Sequence, residues 1–205
     1  MNFRDFESKV RHLPFFNLNE IRKIDPGFHR RQLTDWRKRG YVKPLAGGYY
    51  LLADRTVDEG LLFMAANQIY APSYISLESA LAYHQVIPES VLGVTSVSTR
   101  KTRLVASAWG QFSYRSVKPA YLFGYKVVED RPHHKFLIAS LEKSVLDYLY
   151  LHPQLNSIED FEELRWNKSV LMHLTADDTF DQYLQHFSKQ ALVNRVNVLM
   201  RYLDA

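Results

Sequence analysis

The stretch "HRRQLTDWRKRGYVKPLAGGYYLL", residues 29–52, sets six cationic side chains around one Leu and one Trp, then switches at once to apolar residues about Gly47-Gly48. On a helix over residues 28–39, at about 100° per residue, Leu33 and Trp36 fall on one side with His29 between them. Arg30, Arg31, Thr34, Arg37 and Lys38 fill the opposite arc, roughly 120° wide. Arg39 and Lys43 lie just beyond, at the helix end and on the first strand that follows. Gly40 closes the helix in the C′ position. "YVKPL", the turn Ala46-Gly47-Gly48 and "YYLL" then read as a hairpin, with glycines where positive φ is needed.

Upstream, "NFRDFESKVRHL" repeats Phe3, Phe6, Val10 and Leu13 at helical spacing, and Pro14 closes it. "NLNEIRKI" is a second helix, capped by Asn17 or Asn19, with Ile21 and Ile24 inward and Asp25-Pro26-Gly27 as a turn. Downstream, the polar segment "ADRTVDEG", residues 53–60, connects this N-terminal unit (1–53) to a second one (54–205). There "LLFMAANQIY" and "SLESALAYHQVI" read as helices, the second capped by Ser76. "VLGVTSVSTR", "GQFSYRSV", "YLFGYKVV" and "HKFLIAS" read as strands. "SLEKSVLDYLYLH" puts Leu141, Val145, Tyr148 and Leu149 on one helical stripe behind Ser140. The C-terminal run from "DDTFDQYLQ" to "VLMRYL" repeats Phe180, Tyr183, Leu184, Phe187, Leu192, Val196, Leu199 and Leu203 at helical steps, a core-packing pattern. The expected fold class is α+β: a winged helix-turn-helix, then a mixed α/β domain with a small, largely antiparallel sheet and C-terminal helices.

The chain has 205 residues, 46% of them hydrophobic and 14% aromatic, enough to bury a real core. The absence of cysteine excludes disulfides and thiolate metal sites and suits a reducing cytoplasm. The charged start reads as neither a secretory signal nor an anchor, and no run approaches the ~18 apolar residues of a spanning helix. A cytoplasmic protein without a membrane partner is the expectation. The formal net charge is +4, but residues 1–43 carry 11 Lys and Arg against 5 Asp and Glu. The excess belongs to the N-terminal fifth and points to a polyanion there, nucleic acid being the commonest.

Three helices and a two-stranded wing, in that order, place the third helix in the major groove of a duplex. A groove about 12 Å wide admits one helix. Arg offers a planar fork for guanine or phosphate, Lys a point charge, and Thr a short hydroxyl or methyl contact. Within the stripe, Arg31, Lys38 and Lys43 are assigned to phosphates, and Arg30, Thr34 and Arg37 to base edges. Two other readings compete: a stand-alone regulator of other genes, and an adaptor that sets the basic helix on an acidic protein.

The segment "RRQLTDWRKRGYVKPLAGGYYLL" resembles the N-terminal winged helix of AbiEi-type antitoxins. The run over 74–151 resembles the body of that family in "ISLESAL" with "YH" one residue on, "IPE", "VTSVSTRKTR", "FSYR", "VKP", "FGY", and "IAS", "EK", "LD" and "LYL" spaced over residues 138–151. The resemblance implies a cytoplasmic antitoxin of a bacterial abortive-infection pair. Such a protein binds double-stranded operator DNA, often inverted repeats, and represses its own operon. Its C-terminal region opposes a separately encoded nucleotidyltransferase-like toxin without forming a stable complex. This chain departs at the wing turn, where relatives often carry Arg or Lys; Lys43 is its nearest basic residue.

"STRKTR" sets Arg100, Lys101 and Arg103 at a strand end, with Arg115 and Lys118 in the next strand region. Should these strands pair, five cations gather on one side as a second DNA contact or a docking point, unless they only guard a sheet edge. Catalysis finds little support and no cofactor is implied. His133-His134 follows Pro132 in a loop without cysteines or a spaced carboxylate, so no metal site is expected. His84 ends a helix as a hydrogen-bonded structural residue. No phosphate-cradling Gly loop and no HExxH occur. After residue 53 no acidic-x-Lys triplet of a restriction-type nuclease occurs either. Asp160-Phe161-Glu162 lacks the upstream Gly-Ser turn of a nucleotidyltransferase. Glu142 and Asp147, five apart on one helix, point in different directions.

Overall fold

The computed structural model describes residues 1–88, 92–132, 134–176 and 178–205. Glu89 of "IPE", Val91 at the start of one expected strand, His133, and Asp177 of the C-terminal run lie outside the described residues. Asn2 accepts the Asp5 amide at 3.0 Å and starts α1 (Phe3–Val10). The helix stops one turn short of Leu13. After β1 (Phe16–Asn17), Asn17 caps α2 (Leu18–Ile24) by accepting the Asn19 and Glu20 amides, while Glu20 takes the Asn17 amide at 2.7 Å. In the next turn Asp25 accepts the Gly27 amide at 3.1 Å. α3 (Arg30–Lys38), β2 (Val42–Pro44) and β3 (Tyr49–Leu52) complete the unit. Its three strands form an antiparallel sheet in the order β1-β3-β2, with Phe16 opposite Tyr50 and Lys43 opposite Leu51. Pro44 is tolerated because β2 is an edge strand.

The segment after β3 is tied at both ends. Arg11 pairs with Asp54 at 3.0 Å, and Arg55 donates to the carbonyls of Arg11 (2.7 Å) and Leu13 (3.0 Å). Asp58 accepts the Leu61 amide at 2.9 Å and so caps α4 (Glu59–Ile69), and it also takes an ion pair from Arg131.

The remaining strands are β4 (Ser73–Ile75), β5 (Val94–Ser98), β6 (Arg103–Ser107), β7 (Gly110–Ser116), β8 (Tyr125–Arg131) and β9 (His134–Ala139). They make one six-stranded sheet in the order β6-β7-β5-β4-β9-β8. The sheet is mixed, which corrects the expectation of a small, largely antiparallel one. β4–β9 and β5–β7 pair parallel; β4–β5, β6–β7 and β8–β9 pair antiparallel. The parallel pairs arise because chain neighbours are separated: the β6–β7 hairpin returns β7 beside β5, and β9 comes back beside β4 after a long excursion. Strands β4 and β6 escape a period-two reading. The first is three fully buried residues, and the second is an exposed edge with no apolar alternation.

α4 covers one face of this sheet, with Phe63 5.3 Å from Phe136 and the Tyr114 hydroxyl donating to the Ala66 carbonyl at 2.9 Å. α5 (Leu77–Tyr83) and α6 (Leu141–Leu151) cover the other. α6 is buried nearly all round, so the expected stripe is too narrow: Lys143, Ser144, Leu146 and Asp147 are buried too, while Leu141 and Tyr148 are half-buried. α7 (Ile158–Leu164), α8 (Lys168–Leu171), α9 (Thr179–Phe187) and α10 (Gln190–Asp204) pack against α6 and one another. The C-terminal apolar repeat is core: Phe180, Phe187, Leu192, Val196, Leu199 and Leu203 are buried, with Tyr183 and Leu184 half-buried. No described helix is long and apolar enough to cross a membrane.

Buried apolar side chains fall into two clusters, and the β2–β3 hairpin belongs to both. Val42 and Leu52 join Phe6, Val10, Phe16, Ile21, Phe28, Leu33 and Trp36. Phe15, Leu45, Ala46 and Leu51 join the larger cluster that includes α4 and the six-stranded sheet. Leu51 and Leu52, adjacent in one strand, point to opposite faces.

Candidate nucleic-acid interface

α3 is anchored by its apolar side. Leu33 and Trp36 are 3% and 7% exposed, and the Trp36 ring lies 5.4 Å from Phe3, 4.7 Å from Phe6 and 5.3 Å from Phe28. His29 departs from its wheel position: it precedes the helix as the N-cap residue and is exposed. The helix ends as its sequence requires. Gly40 takes φ 73°, its amide reaches the Arg37 carbonyl at 3.1 Å, and the Tyr41 amide reaches the Trp36 carbonyl at 2.9 Å. That pair of bonds is a Schellman closure, which a left-handed C′ glycine makes without steric cost. Tyr41 then stacks on Phe3 at 4.5 Å.

Every residue assigned to the stripe is exposed: Arg30, Arg31, Thr34, Arg37 and Lys38 on α3, and Lys43 on β2. Among the described residues none of these cations has an ion-pair partner within 4.0 Å. The only acid on α3 is Asp35, also exposed. The Thr34 hydroxyl donates to the Arg30 carbonyl at 3.3 Å and keeps its lone pairs outward-available as acceptors. Arg22 and Lys23 at the end of α2 are further exposed cations that the sequence reading passed over. Unpaired guanidinium and ammonium groups on a rigid, buried-backed helix need no internal bond broken before they meet an anion.

The hairpin tip behaves differently. Leu45 and Ala46 are 2% and 9% exposed, and a Cβ on Gly47 would stand 2.8 Å from Ile69 of α4. The Tyr49 hydroxyl reaches the Gln68 carbonyl at 3.5 Å, and its ring meets Phe15 edge-on at 5.3 Å. The turn is packed on α4.

The second set of cations divides. Arg100 lies 4.2 Å and Arg103 5.1 Å over the ring of Tyr70, whose hydroxyl donates to the Lys101 carbonyl at 2.9 Å. Arg103 pairs with Tyr114 across β6–β7 and shares its face. Arg115 follows Tyr114 in β7 and so projects from the opposite face. The expectation that all five cations gather on one side is therefore corrected: Arg100, Lys101 and Arg103 group about Tyr70, Arg115 lies across the sheet, and Lys118 is exposed beyond the strand end.

A buried polar cluster on α6 is one the sequence reading missed. Lys143 and Asp147, one turn apart on α6, form an ion pair with both side chains wholly buried. Lys143 also donates to the Tyr74 hydroxyl at 2.8 Å, and Asp147 accepts from Tyr74 at 2.7 Å and Ser76 at 2.9 Å. Burial pushes the Lys143 ammonium below its ordinary range against the pull of Asp147, and pushes the Tyr74 phenol well up. The i, i+4 spacing in "EKSVLD" is the available signal. Sealed from solvent, the cluster is a core network. The other weighed residues are structural as well. His84 Nε2 reaches the Ala139 carbonyl at 2.9 Å. Asp160 completes the capping box that Ser157 opens at α7 by accepting the Asn156 and Ser157 amides, each at 2.8 Å, which lowers its pKa. No group of three potential metal ligands converges among the described residues.

No family model matches the chain, and no curated protein matches it.

Proposed function

We propose that the chain is a DNA-binding antitoxin that represses its own operon through an N-terminal winged helix and opposes a nucleotidyltransferase-like toxin encoded beside it. One observation carries the DNA half: α3 buries Leu33 and Trp36 while holding Arg30, Arg31, Thr34, Arg37 and Lys38 exposed, its four cations without an ion pair among the described residues. The order helix, strand, helix, helix, hairpin, with β1 paired to β3, supports a winged-helix reading of this unit. α3 is the recognition helix, with Arg30, Thr34 and Arg37 at base edges and Arg31, Lys38 and Lys43 on phosphates. Arg100 and Arg103, held over Tyr70, with Lys101, whose carbonyl the Tyr70 hydroxyl meets, supply a second phosphate or partner contact. The toxin half rests on the resemblance of 74–151 to AbiEi-type antitoxins and places the protein in the cytoplasm.

A gel shift with the chain's own upstream DNA tests repression: a salt-sensitive shift lost in Arg30→Ala/Arg37→Ala is expected, and wild-type binding by that variant would remove α3 from the interface. Growth rescue on co-expression with the adjacent gene tests the toxin half. Charge reversal of Arg100, Lys101 and Arg103 together should lower operator affinity or rescue; no change in either would strip the cluster of a role.

A further inference from the structure

We infer that this chain reads its operator from the major groove alone, because its hairpin is an internal fastener and not a minor-groove probe. The inference rests on the operator-binding reading of α3 and asks what the hairpin adds to it. A hairpin that reaches into a neighbouring groove needs a tip that is solvent-exposed, polar and free to meet phosphates and base edges. Here the tip is Leu45-Ala46-Gly47-Gly48, without a charge or a side-chain hydrogen-bonding group. Leu45 and Ala46 are buried in the larger apolar cluster. Gly47, at φ 58°, lies so close to Ile69 that even a methyl group would collide with it at 2.8 Å. On the strands, Leu51 faces the body and Leu52 faces α1–α3. The hairpin is therefore held on both faces, and its turn is fastened through Leu45 and Ala46, leaving only the side-chain-free Gly47 and Gly48 exposed.

Withdrawing the tip would expose Leu45 and Leu51 together with their partners on α4, whereas α3 can meet DNA without moving. Lys43 is the one hairpin cation, and it sits on edge strand β2 before the turn, suited to a phosphate and not to a groove floor. Discrimination then falls to α3, whose Arg and Thr side chains match major-groove acceptors and the thymine methyl.

Inosine substitution separates the grooves. Inosine·cytosine in place of guanine·cytosine deletes only the minor-groove amino group; in place of adenine·thymine it rewrites the major-groove edge and leaves the minor groove unchanged in donors and acceptors. The probe is the tightest duplex that the full chain selects from random 20-base-pair DNA. Replacing its guanines by inosine, within the core site and its flanks, should change the dissociation constant by less than about twofold. Replacing core adenine·thymine pairs by inosine·cytosine should weaken binding by about tenfold per contacted pair. A chain that binds but loses affinity on the guanine replacements overturns this inference and leaves the operator reading standing. A chain that selects and binds no duplex overturns both.

Discussion

Replacing phosphate contacts and replacing base contacts on α3 should leave different signatures in salt. Arg31→Ala with Lys38→Ala removes two exposed cations that make no ion pair among the described residues. The folded state therefore loses little. Surface substitutions of this kind stay within about 0.5 kcal/mol, plus a few tenths for the lost helix-end interaction of Lys38. In binding, each phosphate contact adds about 0.9 to the slope of log affinity against log salt, so the pair carries about 1.8. Raising salt from 50 to 200 mM spans about 0.6 log units, over which the gap between wild type and variant should close by roughly tenfold. Arg30→Ala with Arg37→Ala should behave otherwise. Base-edge forks are worth about 1–3 kcal/mol each in discrimination, so affinity for the selected site drops toward that for random DNA while the salt slope stays close to wild type. Fluorescence anisotropy at five salt concentrations, on selected and scrambled duplexes, measures both quantities. Equal slopes for the two double variants would refute the division of labour, and wild-type affinity in both would refute the interface.

Three further predictions concern the body and the joint. Lys143→Met should cost about 3–5 kcal/mol in urea unfolding by leaving Asp147 buried without its cation, while Lys143→Met/Asp147→Leu should recover most of that; additive losses would count against a coupled pair. Burial raises the phenols of Tyr74, Tyr114 and Tyr148 above their ordinary value of 10.0, Tyr148 to about 12. The unfolded chain then sheds protons that the folded chain keeps, so their stabilisation is whole below pH 10 and is lost as pH climbs. Lys143, with a lowered pKa, acts in the opposite sense only below its ordinary 10.5, so the fall should be clearest from about pH 10.5 to 12, near 1.4 kcal/mol per pH unit for each such phenol. Unfolding midpoints that stay level across that interval would contradict the burial. Gly47→Ala should destabilise more than Gly48→Ala: both take positive φ, costing about 1–2 kcal/mol, but only Gly47 also meets Ile69. Equal losses would mean that the turn is not packed on α4.

What could be read from sequence was what local chemistry decides. An Asn cap before α2, left open between Asn17 and Asn19 and taken by Asn17, Gly40 after a basic turn, and the Leu33/Trp36 spacing each fix a backbone event within a few residues. Partnerships across the chain left no local trace. Tyr74 finds Lys143 across 69 positions, and the Asn67 side chain accepts the Leu137 amide at 2.7 Å across 70. The same remoteness hid the division of the second cation set, since the face that Arg115 occupies follows from the register of β7 and not from its distance to Arg103 along the chain.

The hairpin did carry a signal for its own burial. A two-stranded ribbon with one wet face alternates apolar and polar residues, because successive side chains point to opposite sides. "YYLL" has no charged position, and the residues entering its turn are Leu45 and Ala46. An unbroken apolar run of that length implies two covered faces. One face has α1–α3 to bury against, and for the other Phe15 is the one apolar residue of 1–53 in the larger cluster outside the hairpin, so that face needs a second body. α4 supplies it, through Ile69 and Gln68. At Ala46, which is buried, a basic residue would place a cation without a partner, at a cost of several kcal/mol, and a Cβ at Gly47 would meet Ile69; the Ala-Gly-Gly turn avoids both and leaves the cationic work to α3.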